Sequence, residues 1–212
     1  MTARRQPSEE RLLAYAAGTL SPPEAVVVAA HLAMRPRTAR WVEALQAVGG
    51  DVLETIEPEP VADDLLARTL ARLSPGRETI VPPEPANDMT ELPEPLRGYE
   101  LGPWRWIGPD MRVRDVLAPR DGECRVILLK IGPGRTTPVH SHHGVELTCV
   151  ISGAYETDEG RFGPGDFEEA DGEVHHRPRT VSDEPCLCVV ALDGQIRLDG
   201  WIGRLMQPFV RL

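Results

Sequence analysis

The sequence predicts a two-part α + β protein, a small N-terminal bundle of helices followed by a C-terminal all-β barrel or sandwich. Three observations carry that prediction. Apolar residues recur at helical spacing up to about residue 75, a stretch rich in proline and acid follows, and beyond it short β-forming runs alternate with glycine-rich turns.

Four helical runs are legible in order: Leu12, Leu13 and Ala16; Val26, Val27, Ala30 and Met34; Trp41, Val42, Leu45 and Val48; and Leu65, Leu66, Leu70 and Leu73. Ser21-Pro22-Pro23-Glu24 marks the start of the second, because serine caps free amides, proline suits the first turn and Glu24 stands where a capping box needs a carboxylate. Pro36 and the Pro58/Pro60 pair fall between runs, as helix breakers do. Residues 79–95 have no period and read as an extended linker. Arg125–Lys130, Glu146–Ile151 and Cys186–Leu192 then read as strands. The expected division is a helical domain at 1–78, the linker at 79–95 and a β domain at 96–212.

The chain of 212 residues is 41% hydrophobic, enough for a packed core, and its formal charge is -10. An acidic surface repels phosphate backbones, so no direct contact with nucleic acid is expected. No apolar stretch is long enough to cross a bilayer, and the N-terminus lacks the apolar core of a signal peptide, which makes a cytoplasmic protein the expectation. Cys124, Cys149, Cys186 and Cys188 are too few for a secreted disulfide scaffold and are expected as thiols.

Five of the six histidines lie between residues 140 and 176. In Pro138-Val-His140-Ser-His142-His143-Gly-Val-Glu146, residues 140, 142 and 146 share parity, so on one continuous strand they face the same side. Two imidazoles and a carboxylate converging in a barrel make a metal site that needs one more ligand. Here the sequence resembles the cupin superfamily. Gly134, five residues, His140-Ser-His142, three residues, Glu146, six residues and Gly153 follow the first cupin motif. Gly163-Pro164-Gly165-Asp166, with His176 ten residues after the aspartate, follows the second, although Ala170 stands where many cupins have proline. The resemblance implies a double-stranded β-helix, or jelly roll, holding one divalent ion through His140, His142, Glu146 and His176. Spacing favours His176 over His175. The ligand types suit Zn²⁺, the expected ion, and also Fe²⁺, Mn²⁺ or Ni²⁺.

The helical half resembles the N-terminal domain of ChrR-type anti-sigma factors over Arg11–Ser21, Ala29–Thr38 and Val42–Gly50. That resemblance implies an extracytoplasmic-function sigma factor as partner, bound by apolar helix faces including Leu12, Leu13, Val26, Val27, Trp41 and Leu45. It further implies a metal-binding cupin that senses oxidative stress. Family members hold a first zinc through a His-x3-Cys-x2-Cys motif and a histidine near the N-terminus. Here His31 matches, but Arg35 and Thr38 occupy the cysteine positions and Arg4 or Arg5 the remaining one. Arginine cannot ligate zinc, so that first ion is expected to be absent. Cys186 and Cys188 share one strand face and could act as small hydrophobes or as redox groups. A cupin-mediated dimer is compatible with the sequence. The rival readings are a metal-dependent cupin oxygenase or isomerase, with His175, Glu168 and Tyr155 as candidates by type, and a small-molecule sensor.

Overall fold

A computed structural model of the chain describes residues 5–73, 84–142, 144–172, 176–194 and 196–198. The helices are α1 (Glu9–Ala16), α2 (Pro22–Met34), α3 (Pro36–Glu54), α4 (Leu65–Arg72) and the short α5 (Glu94–Arg97). All four expected helical runs fall on α1 to α4. The Ser21 backbone amide and hydroxyl both donate to the Glu24 carboxylate, at 3.3 and 2.8 Å, which fixes the start of α2. Pro36 begins α3 at the first turn, where its missing N–H costs nothing.

The strands are β1 (Arg105–Gly108), β2 (Met111–Asp121), β3 (Cys124–Ile131), β4 (His140–His142), β5 (Glu146–Ser152), β6 (Tyr155–Thr157), β7 (Gly160–Phe162), β8 (Phe167–Ala170), β9 (Arg179–Thr180), β10 (Cys186–Leu192) and β11 (Ile196–Leu198). They form an antiparallel six-stranded sheet in the order β1-β2-β3-β10-β5-β8, a three-stranded sheet β7-β6-β9 and a pair β11-β4.

Both faces of the large sheet are covered, which is why β10 is apolar and buried at every position. Its Cys186, Cys188, Val190 and Leu192 face the barrel interior with Val113, Ile127, Val150, Tyr155 and Phe162. Leu187, Val189 and Ala191 face outward into a second core, shared by Val126, Leu128, Leu147 and Phe167 of the sheet and by Leu12, Val26, Val27, Val28 and Leu96 of the helices. The helical half therefore packs on the outer face of the sheet.

The stretch read as a linker is packed around Leu92, while 74–83 lie outside the described residues. Leu92 and Leu96 are fully buried, and the Asn87 side-chain amide donates to the carbonyls of Leu96 and Tyr99, at 3.1 and 2.9 Å. Proline content marked the absence of a long helix there, but not the absence of packing.

Candidate metal centre

The inner core leaves a chamber of about 510 Å³ with apolar walls that include Trp106, Ile107, Met111, Ile127, Leu129 and Ile131. Its polar lining consists largely of His140, Glu146, Thr148, Tyr155 and Glu168. These groups come from four strands, with Glu146 and Thr148 both on β5. The parity expected to bring His140, His142 and Glu146 together does not apply, because β4 and β5 belong to different sheets. His140 and Glu146 nevertheless line the same chamber. The side chain of His142, on β4 opposite Ile196, lies outside the described residues, as do His143 and His175.

The second motif meets the first through main chain and side chain together. His140 and His176 exchange two backbone hydrogen bonds, N–H to carbonyl, each 3.3 Å. Their imidazole Nε2 atoms face one another at 3.2 Å. Nδ1 of His140 lies 2.8 Å from the Pro138 carbonyl, which can only accept, so this nitrogen carries the proton and Nε2 keeps its lone pair. Nδ1 of His176 lies 3.4 Å from Oε1 of Glu168, and the Tyr155 hydroxyl donates to the other Glu168 oxygen at 2.5 Å. Thr148 donates to Glu146 at 3.1 Å.

Those supports are the kind that orient imidazoles for a metal, a carbonyl or carboxylate on the far nitrogen fixing the tautomer. Two nitrogens on one tetrahedral zinc stand about 3.3 Å apart at ordinary Zn–N lengths. The observed separation and the donor chemistry suit a divalent ion, and among the described residues no three His, Cys, Asp or Glu side chains form a complete metal site. Burial pushes the Glu146 carboxyl above its usual range, opposed by the neighbouring His140 and His176, so a cation there would favour the ionised form. Burial alone would lower His176, but its bond to Glu168 and the nearby carboxylates carry it above the usual imidazole value.

Glu168 and Tyr155 were legible only as residue types, and their position around His176 is a product of the fold. Thr148 could have been found, since it shares a strand face with Glu146. Cys186 and Cys188 line the chamber with their sulfurs 3.7 Å apart. The bond to Cys186 and burial hold the Cys188 thiol well above its ordinary value, so it stays protonated.

The N-terminal positions do not fit a zinc ion. Nδ1 of His31 is taken by the Gly165 carbonyl at 2.8 Å, and the Arg35 guanidinium donates to the Pro164 carbonyl at 2.8 Å and to Asp166 at 2.5 Å. A hydroxyl, Thr38, is all that stands at the last motif position, and it is buried.

Comparison with known proteins agrees with both halves. The family described as ChrR cupin-like domain matches residues 100–195. The anti-sigma-E factor ChrR of Cereibacter sphaeroides is 37% identical over 217 aligned residues, covering all of both chains. The crystal structure of Rhodobacter sphaeroides SigE in complex with the anti-sigma ChrR superposes with a TM-score of 0.74 at 34% identity, covering 91% of this chain and 100% of that one. Identity at that level along the whole length, with the barrel and the helices both matched, makes this chain a member of the ChrR family of anti-sigma factors.

Proposed function

We propose that this chain binds an extracytoplasmic-function sigma factor through its helices and holds one divalent metal ion in its barrel, the barrel being the sensing half. The single observation carrying the first part is α4, a helix that contributes no buried residue although Leu65, Leu66, Leu70 and Leu73 are all exposed. The end of α3 continues that surface in character with Val48, Val52, Leu53 and Ile56, each more than half exposed. Apolar exposure on that scale marks a surface built for a protein partner. Leu12, Val26 and Val27 are core residues instead, and of the side chains expected to contact a partner only Leu13 and Trp41 are exposed.

The relative's structure pairs ChrR with a sigma factor, and the same class of partner suits the uncovered leucines here. Binding through this face would keep the sigma factor from RNA polymerase, without any contact between this acidic chain and DNA. We assign residues 1–78 to the sigma-binding part, 79–95 to the connection and 96–212 to the cupin. No described helix is long and apolar enough to cross a membrane, and the working compartment we propose is the cytoplasm.

Replacing Leu66 and Leu70 together by aspartate in the full chain tests the partner assignment. Affinity for an extracytoplasmic-function sigma factor that the wild-type chain binds should fall at least about hundredfold, with the melting temperature unchanged because neither side chain is buried. Unchanged affinity would remove α4 from the interface.

For the metal we assign His140, His142, Glu146 and His176 as ligands and zinc as the ion. Bound there, the ion would cross-link β4, β5 and the segment before β9, a structural cross-link whose loss loosens the barrel. Elemental analysis of the purified protein should return about one equivalent per chain, and His140→Ala with His142→Ala should bring it close to zero. Iron, manganese or nickel in place of zinc would revise the ion, and retention of metal by the double variant would revise the ligands.

A further inference from the structure

His31 and Arg35, two positions of the motif for which the resemblance implies a zinc, grip the cupin instead, and Arg5 joins them. His31 and Arg35 hold the Gly165 and Pro164 carbonyls, as above, and Arg35 also pairs with Asp166. The Arg5 carbonyl accepts from the Phe167 amide at 3.2 Å, and its guanidinium lies 3.9 Å from Asp166. All of these contacts fall on residues 164–167, the turn that leads into β8. The turn is itself braced, since Asp166 accepts from the Gly163 amide at 2.9 Å while offering its other oxygen to Arg35. Gly165 has φ +79°, and a Cβ there would stand 2.8 Å from Nε of Arg35, so arginine and glycine are fitted to each other.

The strand that follows alternates between the two halves of the molecule. Phe167 and Glu169 face the helices: Phe167 meets the His31 ring edge-on at 5.6 Å, and Glu169 accepts from the Ser8 amide at 2.8 Å and pairs with Arg11 at 3.3 Å. Glu168, between them, faces the chamber and holds Tyr155 and His176. β8 is also the edge of its sheet: among the described residues its strand partner is β5, which carries Glu146, and on the open side the Phe167 amide is held by the Arg5 carbonyl. An edge strand held at so few points on its outer side is freer to shift than one inside the sheet.

We propose that the abandoned zinc position has become a clasp, in which Arg5, His31 and Arg35 bind the 164–167 turn, and that β8 uses it to couple the state of the chamber to the docking of α1 and α2. An ion pair between the halves stands where the resemblance implies a zinc. A change at His176 or Glu146 moves β8, and β8 is what the helices hold. The coupling arm of this inference rests on the metal-sensing reading given above; the clasp itself does not.

Hydrogen exchange on the full chain separates the two. With metal bound, Arg35→Gln and Asp166→Asn should each raise exchange of α1 and α2 amides on the order of tenfold, the weight of a charge-assisted hydrogen bond. The charge-exchanged pair Arg35→Asp with Asp166→Arg should recover part of the protection. Unchanged protection in both single variants overturns the clasp, whatever the barrel binds. Stripping the metal from wild-type protein with a chelator should raise exchange in the same amides, and should add nothing further in Arg35→Gln. If chelation removes the metal and leaves the protection of α1 and α2 as it was, β8 is not the coupling element. If purified protein carries no metal, the sensing reading fails and the coupling with it, while the first arm still decides the clasp.

Discussion

His31 is the residue on which the two halves meet most closely. It is essentially inaccessible, and its Nε2 has no hydrogen-bond partner among the described residues. Burial lowers its pKa from 6.5 to about 4, and the charge of Arg35 adds to that, against the opposing pull of the Gly165 carbonyl and Asp166. The folded protein thus holds a neutral imidazole where the unfolded chain would take up a proton below pH 6.5. The stability His31 lends is complete above that value and is lost as the pH falls from 6.5 through 4. Between pH 7 and pH 5 the loss amounts to about 2 kcal/mol. Urea unfolding of wild type and His31→Leu checks this, because the other titrating groups cancel in the comparison. The gap between the two proteins should move by that amount in favour of the leucine variant at pH 5. A gap that ignores pH would mean that His31 keeps its proton affinity when folded. The thiols belong to the same scale. Burial pushes Cys149 up to about 12 and Cys124 to about 11, which leaves both as protonated packing groups at neutral pH.

Among the elements, β5, β8 and β10 do most to define the site. β10 lies between β3 and β5, and it is apolar on both faces because one meets the chamber and the other the helices. The turn between β5 and β6 depends on Gly153, at φ +70°, where a Cβ would come within 2.7 Å of the Pro185 carbonyl oxygen and 2.8 Å of the Cys186 Cα. No side chain fits there, which explains in physical terms why the first cupin motif ends in glycine. At the other extreme stands α4, strongly two-faced yet touching little of its own chain. Its leucines are the reason the test of partner binding falls on Leu66 and Leu70 and not on the core residues of α1 and α2.

At the scale of the molecule, helices and barrel share one outer core in which Leu12, Val27 and Val28 pack with Leu128, Val189 and Phe167. Separating the halves would return that apolar surface to water, at about 25 cal/mol for each Å². The residues of α1, α2 and the sheet should therefore unfold together, and calorimetry of the full chain should give one main transition whose calorimetric and van't Hoff enthalpies agree. Two well-separated transitions would show that the outer core contributes little. The shared core also makes the clasp at residues 164–167 a local contact within a larger interface, so that Arg35→Gln can loosen α1 and α2 without detaching them.

Much of this was legible in the sequence because it is written in local periods and fixed spacings. The four helical runs, the start of α2 at Ser21 and the β texture after residue 100 follow from patterns a few residues long, while the grouping of His140, Glu146 and His176 was implied only by the cupin resemblance. The parity argument assumed one continuous strand, whereas β4 and β5 are two strands in two sheets, so His140 and Glu146 line one chamber for a reason that parity does not supply. What no local pattern could disclose are pairings across long separations: Arg35 with Asp166, Ser8 with Glu169, Leu92 and Leu96 against α2. An arginine in place of a cysteine reads in sequence only as a lost ligand. Its carboxylate stands on the far side of the chain, and only the docking of α2 on the sheet brings the two within hydrogen-bond reach. The sequence by itself determined the elements and the ligand set to expect. The tertiary structure alone decided which apolar faces are core, which are left open on α4, and how the helices are joined to the barrel, because burial and charge pairing are properties of surfaces that exist only after folding.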